Sequence, residues 1–176
     1  MNNTCVFWRT AVMAAVLACV TGGAVANETV GLAAARPERI GELVAGMEAA
    51  AVAPFAGQVI EAIAKMPVSP GRRVRQMATA AEAFLAAAPA DQRAALIGQI
   101  VGHVPPRLLP SWVETFKPAA AALVAGLDGP AHAAFTADVL KAIDALPLDD
   151  EAKTVRAAFA MALLNRAATA EEREPY

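Results

Sequence analysis

Side chains that perform acid–base, metal or nucleophilic chemistry are sparse in this sequence. Its two histidines, His103 and His132, fall in different predicted helices. We expect His103 at a helix C-terminus, where the helix dipole favours a cation, and His132 in the first, solvated turn of another helix. No GxSxG, HExxH, P-loop or GxGxxG motif occurs. We therefore predict no enzymatic activity, no metal site and no cofactor.

Three arginines in one short stretch form the first candidate binding site. The stretch Gly71-Arg72-Arg73-Val74-Arg75 follows Ser69-Pro70, a capping residue and a proline suited to the first helical position. The helix dipole disfavours cations at this end unless an anion offsets them. Arg72 and Arg73 are thereby candidates to bind a phosphate, a sulfate or an acidic side chain of a partner. The competing interpretation is a solvated face with one structural arginine, Arg75.

The second candidate site is the longest irregular connection predicted for the chain, residues 105–112, which reads PPRLLPSW. Arg107 and Trp112 are of the residue types that are enriched in interface hot spots, and irregular segments often carry binding residues. Alternatively, Trp112 fills the core where the middle helix pair departs from the pattern of its neighbours.

The first 26 residues have the organisation of a secretory signal peptide. Arg9 lies in a short n-region that precedes TAVMAAVLACV, an apolar stretch too short to span a bilayer comfortably. Ala24-Val25-Ala26 supplies the small side chains that a signal peptidase recognises, which predicts cleavage between Ala26 and Asn27. We therefore expect an exported protein, periplasmic or extracellular, whose mature chain begins at Asn27.

A second processing site overlaps the first. Val16-Leu17-Ala18-Cys19 is similar to a bacterial lipobox, in which Cys19 becomes the lipidated N-terminal residue. That alternative, or an uncleaved N-terminal segment, would attach the protein to a membrane. Cleavage after Ala26 would instead remove Cys5 and Cys19 together, so the mature domain would contain no cysteine and no disulfide.

The charge balance of the chain is mild. The formal net charge is −2, and removal of Arg9 leaves 14 basic against 17 acidic side chains, a net charge of −3. Such a balance provides no general attraction to nucleic acid or to anionic membranes. The predicted partner is therefore another protein. The remaining ~150 residues are enough for one domain with a core of its own.

Two segments 80 residues apart carry nearly the same sequence. Residues 43–67 read LVAGMEAAAVAPFAGQVIEAIAKMP, and residues 123–147 read LVAGLDGPAHAAFTADVLKAIDALP. Of the 25 aligned positions 11 are identical, and seven of these are not alanine. In both copies apolar residues recur at intervals of three and four, as on one face of a helix. We predict equivalent, buried positions for Phe55 and Phe135.

A weaker third copy shortens the period. Gly57-Gln58-Val59-Ile60 recurs as Gly98-Gln99-Ile100-Val101, which is 41 residues later, so the underlying unit has about 40 residues. No segment shows the strict alternation of a half-buried strand, and the short connections predict antiparallel neighbours. Prolines and capping residues divide the chain into seven predicted helices: 37–50, 54–66, 70–88, 90–104, 111–127 with a kink at Pro118, 130–146 and 150–167.

Residues 74–81 and 155–163 resemble the second helix of a HEAT-type repeat, in which Val-Arg-x-x-Ala-x-x-Ala follows an acidic or capping residue. The resemblance implies an array of paired helices in which Arg75 and Arg156 bridge neighbouring repeats. Two departures stand out. Phe159 replaces the small residue of the pattern, and the central unit has Trp112-Val113-Glu114 where the pattern has Val-Arg.

The combined prediction is an all-α protein. We expect a short right-handed array of antiparallel helix pairs, HEAT-like, over residues 37–167, or the same helices collapsed into a compact bundle. Residues 27–36 are predicted to form a linker and residues 168–176 a flexible tail.

The predicted function is that of an exported, non-enzymatic scaffold or adaptor in the cell envelope. The residues predicted to bind its protein partner are Arg72, Arg73, Arg107 and Trp112. The alternative function is a carrier that holds an apolar ligand between alanine-lined helices, which requires a pocket of several hundred cubic ångströms. An enzyme is the interpretation that the sequence supports least.

Overall fold

The computed structural model describes the backbone of residues 23–167 and the side chains of residues 27–165. All regular secondary structure in this part of the chain is helical, which confirms the all-α prediction. The α-helices are α1 (Gly23–Ala35), α2 (Ile40–Val44), α3 (Ala49–Lys65), α4 (Pro70–Ala87), α5 (Arg93–His103), α6 (Leu109–Val124), α7 (Gly129–Asp144) and α8 (Asp150–Ala167). Short 3₁₀ helices, Pro37–Arg39, Ala90–Gln92 and Pro106–Leu108, precede α2, α5 and α6.

Capping side chains set the starts of three helices. A side-chain oxygen one residue before each helix accepts a hydrogen bond from a backbone N–H of the first turn, which otherwise lacks a partner. The ends of α3, α5 and α7 each lie shortly before a proline, as predicted. The caps are Ser69 Oγ to Arg72 N at 3.4 Å, Asp128 Oδ1 to Ala131 N at 2.8 Å and Asp149 Oδ1 to Ala152 N at 2.7 Å.

Two prolines lie inside helices that were predicted to start or bend at them. The helix predicted over residues 37–50 is interrupted after α2, and α3 begins at Ala49 and continues through Pro54. α6 also contains a proline, Pro118, within the one helix that was predicted there. A proline removes one N–H from the helical ladder, and its ring crowds the carbonyl group four residues earlier. Burial of the apolar face on both sides of it offsets that loss, which the local proline rule does not take into account.

Residues 27–35 of the predicted linker are instead part of α1, which packs against α3. Ala33 and Ala34 are buried there, and alanine has the highest helix propensity. The bond between Ala26 and Asn27 therefore lies within α1, and cleavage there would retain Asn27–Ala35. The predicted n-region, the lipidation site Cys19 and the tail over 168–176 lie outside the described residues. Among the helices described, none combines the length and apolarity needed to cross a bilayer.

The helices form two layers. The first layer contains α1, α3, α5 and α7, each packed against the next, and the second contains α2, α4, α6 and α8 in the same order. Consecutive helices α3 and α4, and likewise α7 and α8, pack across the two layers. The core lies between the layers. Its largest fully buried side chains include those of Trp112, Phe84 and Phe116.

Glycines at equivalent repeat positions allow close approach within the first layer. A Cβ on Gly57 of α3 would lie 2.7 Å from His103 Cε1 of α5. A Cβ on Gly98 of α5 would lie 2.5 Å from Ala142 Cβ of α7. Gly57 and Gly98 are the first residues of the two aligned tetrapeptides, so the sequence repeat corresponds to a repeated contact between helices.

The two repeated phenylalanines differ in burial. Phe55 is 8% exposed and packs edge-to-face on Phe84, with ring centroids 5.7 Å apart. Phe135 is only half-buried, although it packs against the same core. The prediction of equal burial is therefore wrong for Phe135. Its helix, α7, is the last of the first layer within the described residues, so one of its sides has no helical neighbour.

Candidate functional site

Arg73 is held within the chain. Its Nε donates to Val68 O at 3.0 Å, and one of its terminal nitrogens donates to Ala64 O at 3.4 Å. Ala64 belongs to the last turn of α3, where carbonyl groups lack helical partners and the dipole favours a cation. Arg73 therefore has the structural role that the sequence analysis gave to Arg75, and its Nε and one terminal nitrogen are engaged within the chain.

Arg72 and Arg75 line an open groove of about 540 Å³, which we call the arginine groove. Both side chains are exposed, and their guanidinium groups make no hydrogen bond or ion pair with any residue that the structure describes. The bridging contact that the HEAT resemblance implies for Arg75 is absent from this part of the chain. The groove is lined by Ala35, Pro37 and Glu38 beside α1, and by Arg72, Arg75, Gln76 and Thr79 on α4.

Two further polar groups determine what the arginine groove can bind. Gln76 Oε1 is buried and has no hydrogen-bond partner among the described residues. Glu38 places one negative charge beside the two positive charges of Arg72 and Arg75. The groove therefore offers guanidinium donors for carboxylates and one carbonyl oxygen that can accept an N–H.

Arg156 links two helices through a buried hydrogen bond. It is 7% exposed; its Nε donates to Gly102 O at 2.7 Å, and a terminal nitrogen donates to Ala152 O at 3.1 Å. Gly102 lies in the last turn of α5, so the contact joins α8 to α5. Burial lowers the pKa of Arg156 below its ordinary value, and the charge of Asp149 partly opposes this shift.

Residues 105–112, predicted to be an irregular connection, are largely helical. Of the two candidate residues in this segment, Trp112 is buried and Arg107 is exposed. Trp112 is 0% exposed and stacks on Phe116, with ring centroids 4.7 Å apart and an interplanar angle of 15°. It is a core residue, in agreement with the packing interpretation, and it offers no surface to a partner. Arg107 is exposed on the 3₁₀ helix Pro106–Leu108 and does not line the arginine groove.

His103 lies at the C-terminus of α5, as predicted, and its Nδ1 is 2.8 Å from Gln99 O. Glu61 of α3 is near it. The hydrogen bond from Lys65, and then the charge of Lys65, lower the pKa of Glu61, and His103 contributes a smaller lowering. The Glu61–Lys65 pair is exposed, so it adds little to stability. We assign it no chemical role.

His132 differs from its prediction. It is 3% exposed instead of solvated, and its Nε2 has no partner among the described residues. One turn along α7, Thr136 Oγ1 is also buried without a partner. Both residues line a second groove of about 530 Å³ between α7 and α8, which we call the α7–α8 groove. Its other lining residues are Ala133, Ala137, Leu140, Met161 and Asn165.

Sequence reasoning missed the α7–α8 groove, although the repeat carries a signal for it. In the alignment of residues 43–67 with 123–147, His132 replaces Val52 and Thr136 replaces Ala56. Val52 and Ala56 are both buried on α3. Two apolar positions on the packing side of the helix have therefore become polar in the copy that ends its layer.

Among the described side chains, no three His, Cys, Asp or Glu residues are grouped so that they could hold a metal ion. No family model, no curated protein and no solved structure matches this chain.

Proposed function

We propose that the protein is an exported, non-enzymatic scaffold that binds an acidic segment of another protein in the arginine groove. The observation that carries the proposal is the pair Arg72 and Arg75. Both are unpaired within the described chain, both lie on one side of α4 at a spacing of three residues, and both line one open groove. Arg72 lies in the first turn of α4, so the positive end of the helix dipole adds to their potential.

Gln76 favours a peptide over a free anion as the ligand. Its buried Oε1 requires a donor, and a backbone N–H of a bound segment can supply one, whereas a sulfate or a phosphodiester has none. Glu38 adds specificity because its carboxylate repels a uniformly acidic strand. The favoured segment has acidic side chains that reach Arg72 and Arg75, and an uncharged residue beside Glu38.

The scaffold itself is proposed to be a short HEAT-like array. Three features support it: the regular succession of α1, α3, α5 and α7 in one layer, the repeated glycine contacts, and the link from Arg156 to α5. α1 makes its main contacts with α3, and it also contacts α2 and α4. Its main contacts do not include α7 or α8. This supports an open array over a bundle closed on itself.

Affinity capture from cell-envelope extract tests the proposal. We expect the double variant Arg72→Gln/Arg75→Gln to lose proteins that the wild-type domain retains, and added salt to release the same proteins from the wild type. The matched control is Lys117→Gln/Lys141→Gln, which removes two exposed positive charges on α6 and α7. It should retain them.

Both double variants should remain folded because the substituted side chains are exposed. If all three domains retain the same proteins, or if nothing is retained specifically by the wild type, the arginine groove is not a partner site.

A further inference from the structure

The α7–α8 groove has the composition of a site for an amphipathic small molecule. Ala133, Ala137, Leu140 and Met161 form apolar walls, and Met161 is 44% exposed although it is a large hydrophobic side chain. The volume of about 530 Å³ lies within the range of small-molecule pockets. The polar lining residues are His132, Thr136 and Asn165.

Two solvent-shielded polar atoms belong to residues that line this groove. Of the four buried side-chain polar atoms that lack a partner in the described part of the chain, two are His132 Nε2 and Thr136 Oγ1. Their spacing of four residues places them on the same side of α7, one turn apart. A buried polar atom without a hydrogen bond is destabilising. A ligand head group bound here would supply both missing hydrogen bonds.

The polar pair lies on a side of α7 whose matching positions in the other copies of the repeat are apolar and buried. The positions that match Thr136 and Leu140 on α3 are Ala56 and Ile60, which are fully buried. Matching positions on α5, Ile97 and Val101, are also buried and apolar. On α7 this side opens into the groove, because no described helix follows α7 in its layer.

The charges around the groove select an uncharged head group. None of its seven lining residues is Asp, Glu, Lys or Arg. A buried anionic head group would therefore lack a counter-charge, which is strongly unfavourable, and a quaternary ammonium group has no donor or acceptor for His132 and Thr136. Asp128 also caps α7 at the His132 end, where its carboxylate repels an anion. An imidazole, a hydroxyl and an amide are suited to a neutral hydroxyl or ester group.

We propose that the α7–α8 groove binds a neutral amphiphile, with a hydroxyl or ester head group on His132 and Thr136 and an aliphatic chain against Leu140 and Met161. This site is separate from the arginine groove. The Arg72→Gln/Arg75→Gln variant should therefore bind the amphiphile normally, so each proposal can fail without the other.

Calorimetric titration with monodecanoylglycerol, below its critical micelle concentration, tests the site. We expect saturable one-to-one binding by the wild type, and at least tenfold weaker binding of decanoate and of decyltrimethylammonium. Absence of saturable binding, or equal affinity for the neutral and charged probes, would overturn the proposal.

Two variants locate the binding to the groove. Thr136→Val removes the hydroxyl but keeps the shape, and should weaken monodecanoylglycerol binding roughly fivefold, as expected for one lost hydrogen bond. The same variant should unfold at an equal or higher denaturant concentration without ligand, because it removes an unpaired buried polar atom. Thr115→Val on α6, whose Oγ1 donates to Ser111 O at 2.8 Å, is the control and should bind as the wild type does.

Ala137→Phe places a ring in the groove from an exposed position and should abolish binding while the domain remains folded. Unchanged binding by this variant would overturn the proposal. Sedimentation equilibrium tests whether a second copy of the chain occupies the groove instead. A wild-type dimer that Ala137→Phe converts to a monomer would assign the groove to that second copy and would overturn the proposal of an amphiphile site.

Discussion

The roles of Arg73, Arg75 and Arg156 depend on whether each guanidinium group reaches a backbone carbonyl group. Arg73 and Arg156 each donate to a carbonyl in the last turn of another helix, α3 or α5, and thereby satisfy acceptors that helix geometry leaves unpaired. Arg75 occupies the motif position that corresponds to Arg156 but finds no such acceptor among the described residues and stays exposed. Identical motif residues therefore have different roles: Arg156 donates to the end of α5, whereas Arg75 lies beside Ala35, the last residue of α1, without a hydrogen bond to a described residue.

Substitution of Arg156 tests the structural role at the residue scale. Arg156→Ala leaves the Gly102 carbonyl without its donor and should lower the free energy of unfolding by about 2–3 kcal/mol, as for a buried hydrogen bond to a charged group. Arg75→Ala, at the matching motif position, should change it by no more than ~0.5 kcal/mol. Urea unfolding of both variants measures the difference. Equal effects would show that the α8-to-α5 link does not stabilise the fold.

At the scale of elements, glycine sets the separation of helices within the first layer. Gly98 faces Ala142 so closely that an added Cβ would lie 2.5 Å from Ala142 Cβ and 3.3 Å from Ile143 N. The second neighbour is backbone, which cannot rotate away. A glycine in a helix interior is unfavourable by itself, so close packing of α5 on α7 offsets the conformational penalty.

Gly98→Ala should therefore destabilise the protein, although alanine is the better helix former. We expect a net loss of about 1–2 kcal/mol, because overpacking outweighs the gain in helix propensity. Gly31→Ala on α1, where an added Cβ meets nothing within 4 Å, should instead raise stability by up to ~1 kcal/mol. Thermal and urea unfolding measure both.

Adding Ala142→Gly to the Gly98→Ala variant tests whether overlap with Ala142 causes the loss of stability. It removes the methyl group that Gly98→Ala would overlap, and should restore part of the lost stability in the double variant. A Gly98→Ala protein as stable as the wild type would mean that α5 and α7 are not in close contact.

At the scale of the whole molecule, the two grooves lie in different parts of the array. The arginine groove is formed near α1 and the start of α4, whereas the α7–α8 groove lies on the helix pair that ends the described array. Charged side chains line the arginine groove, whereas none of the seven residues that line the α7–α8 groove is Asp, Glu, Lys or Arg. The two proposed sites therefore require chemically different ligands, an acidic segment and a neutral amphiphile.

Export is a prediction about the whole chain, and intact-mass measurement of the native protein tests it. The mass should correspond to a chain that begins at Asn27, because Ala24-Val25-Ala26 provides the peptidase site. Such a chain would keep Ala33 and Ala34, the buried residues by which α1 packs. A mass that includes a lipidated Cys19 would place the protein on a membrane, and a full-length cytoplasmic chain would contradict both forms of processing.

The amino-acid sequence was sufficient to predict the all-α class and most of the helices. Apolar spacing, Ser69 and the prolines after α3, α5 and α7 are local signals, and a helix forms mainly according to such local signals. The repeated Gly57 and Gly98 also predicted equivalent positions, and the structure shows them in equivalent contacts. The helix that includes residues 27–35 was missed because its apolar side is alanine, whose burial depends on α3 lying beside it.

The candidate sites were decided by tertiary structure alone. Whether Arg73 or Arg75 is free depends on where the end of α3 lies, and the burial of Trp112 depends on how α6 packs. His132 and Thr136 line a groove because α7 packs on α5 and on α8 while no described helix follows α7 in its layer. Such contacts join residues that are far apart in sequence, so neither spacing nor composition encodes them directly. The identity of a binding residue is local, whereas its exposure and its neighbours are properties of the packed array.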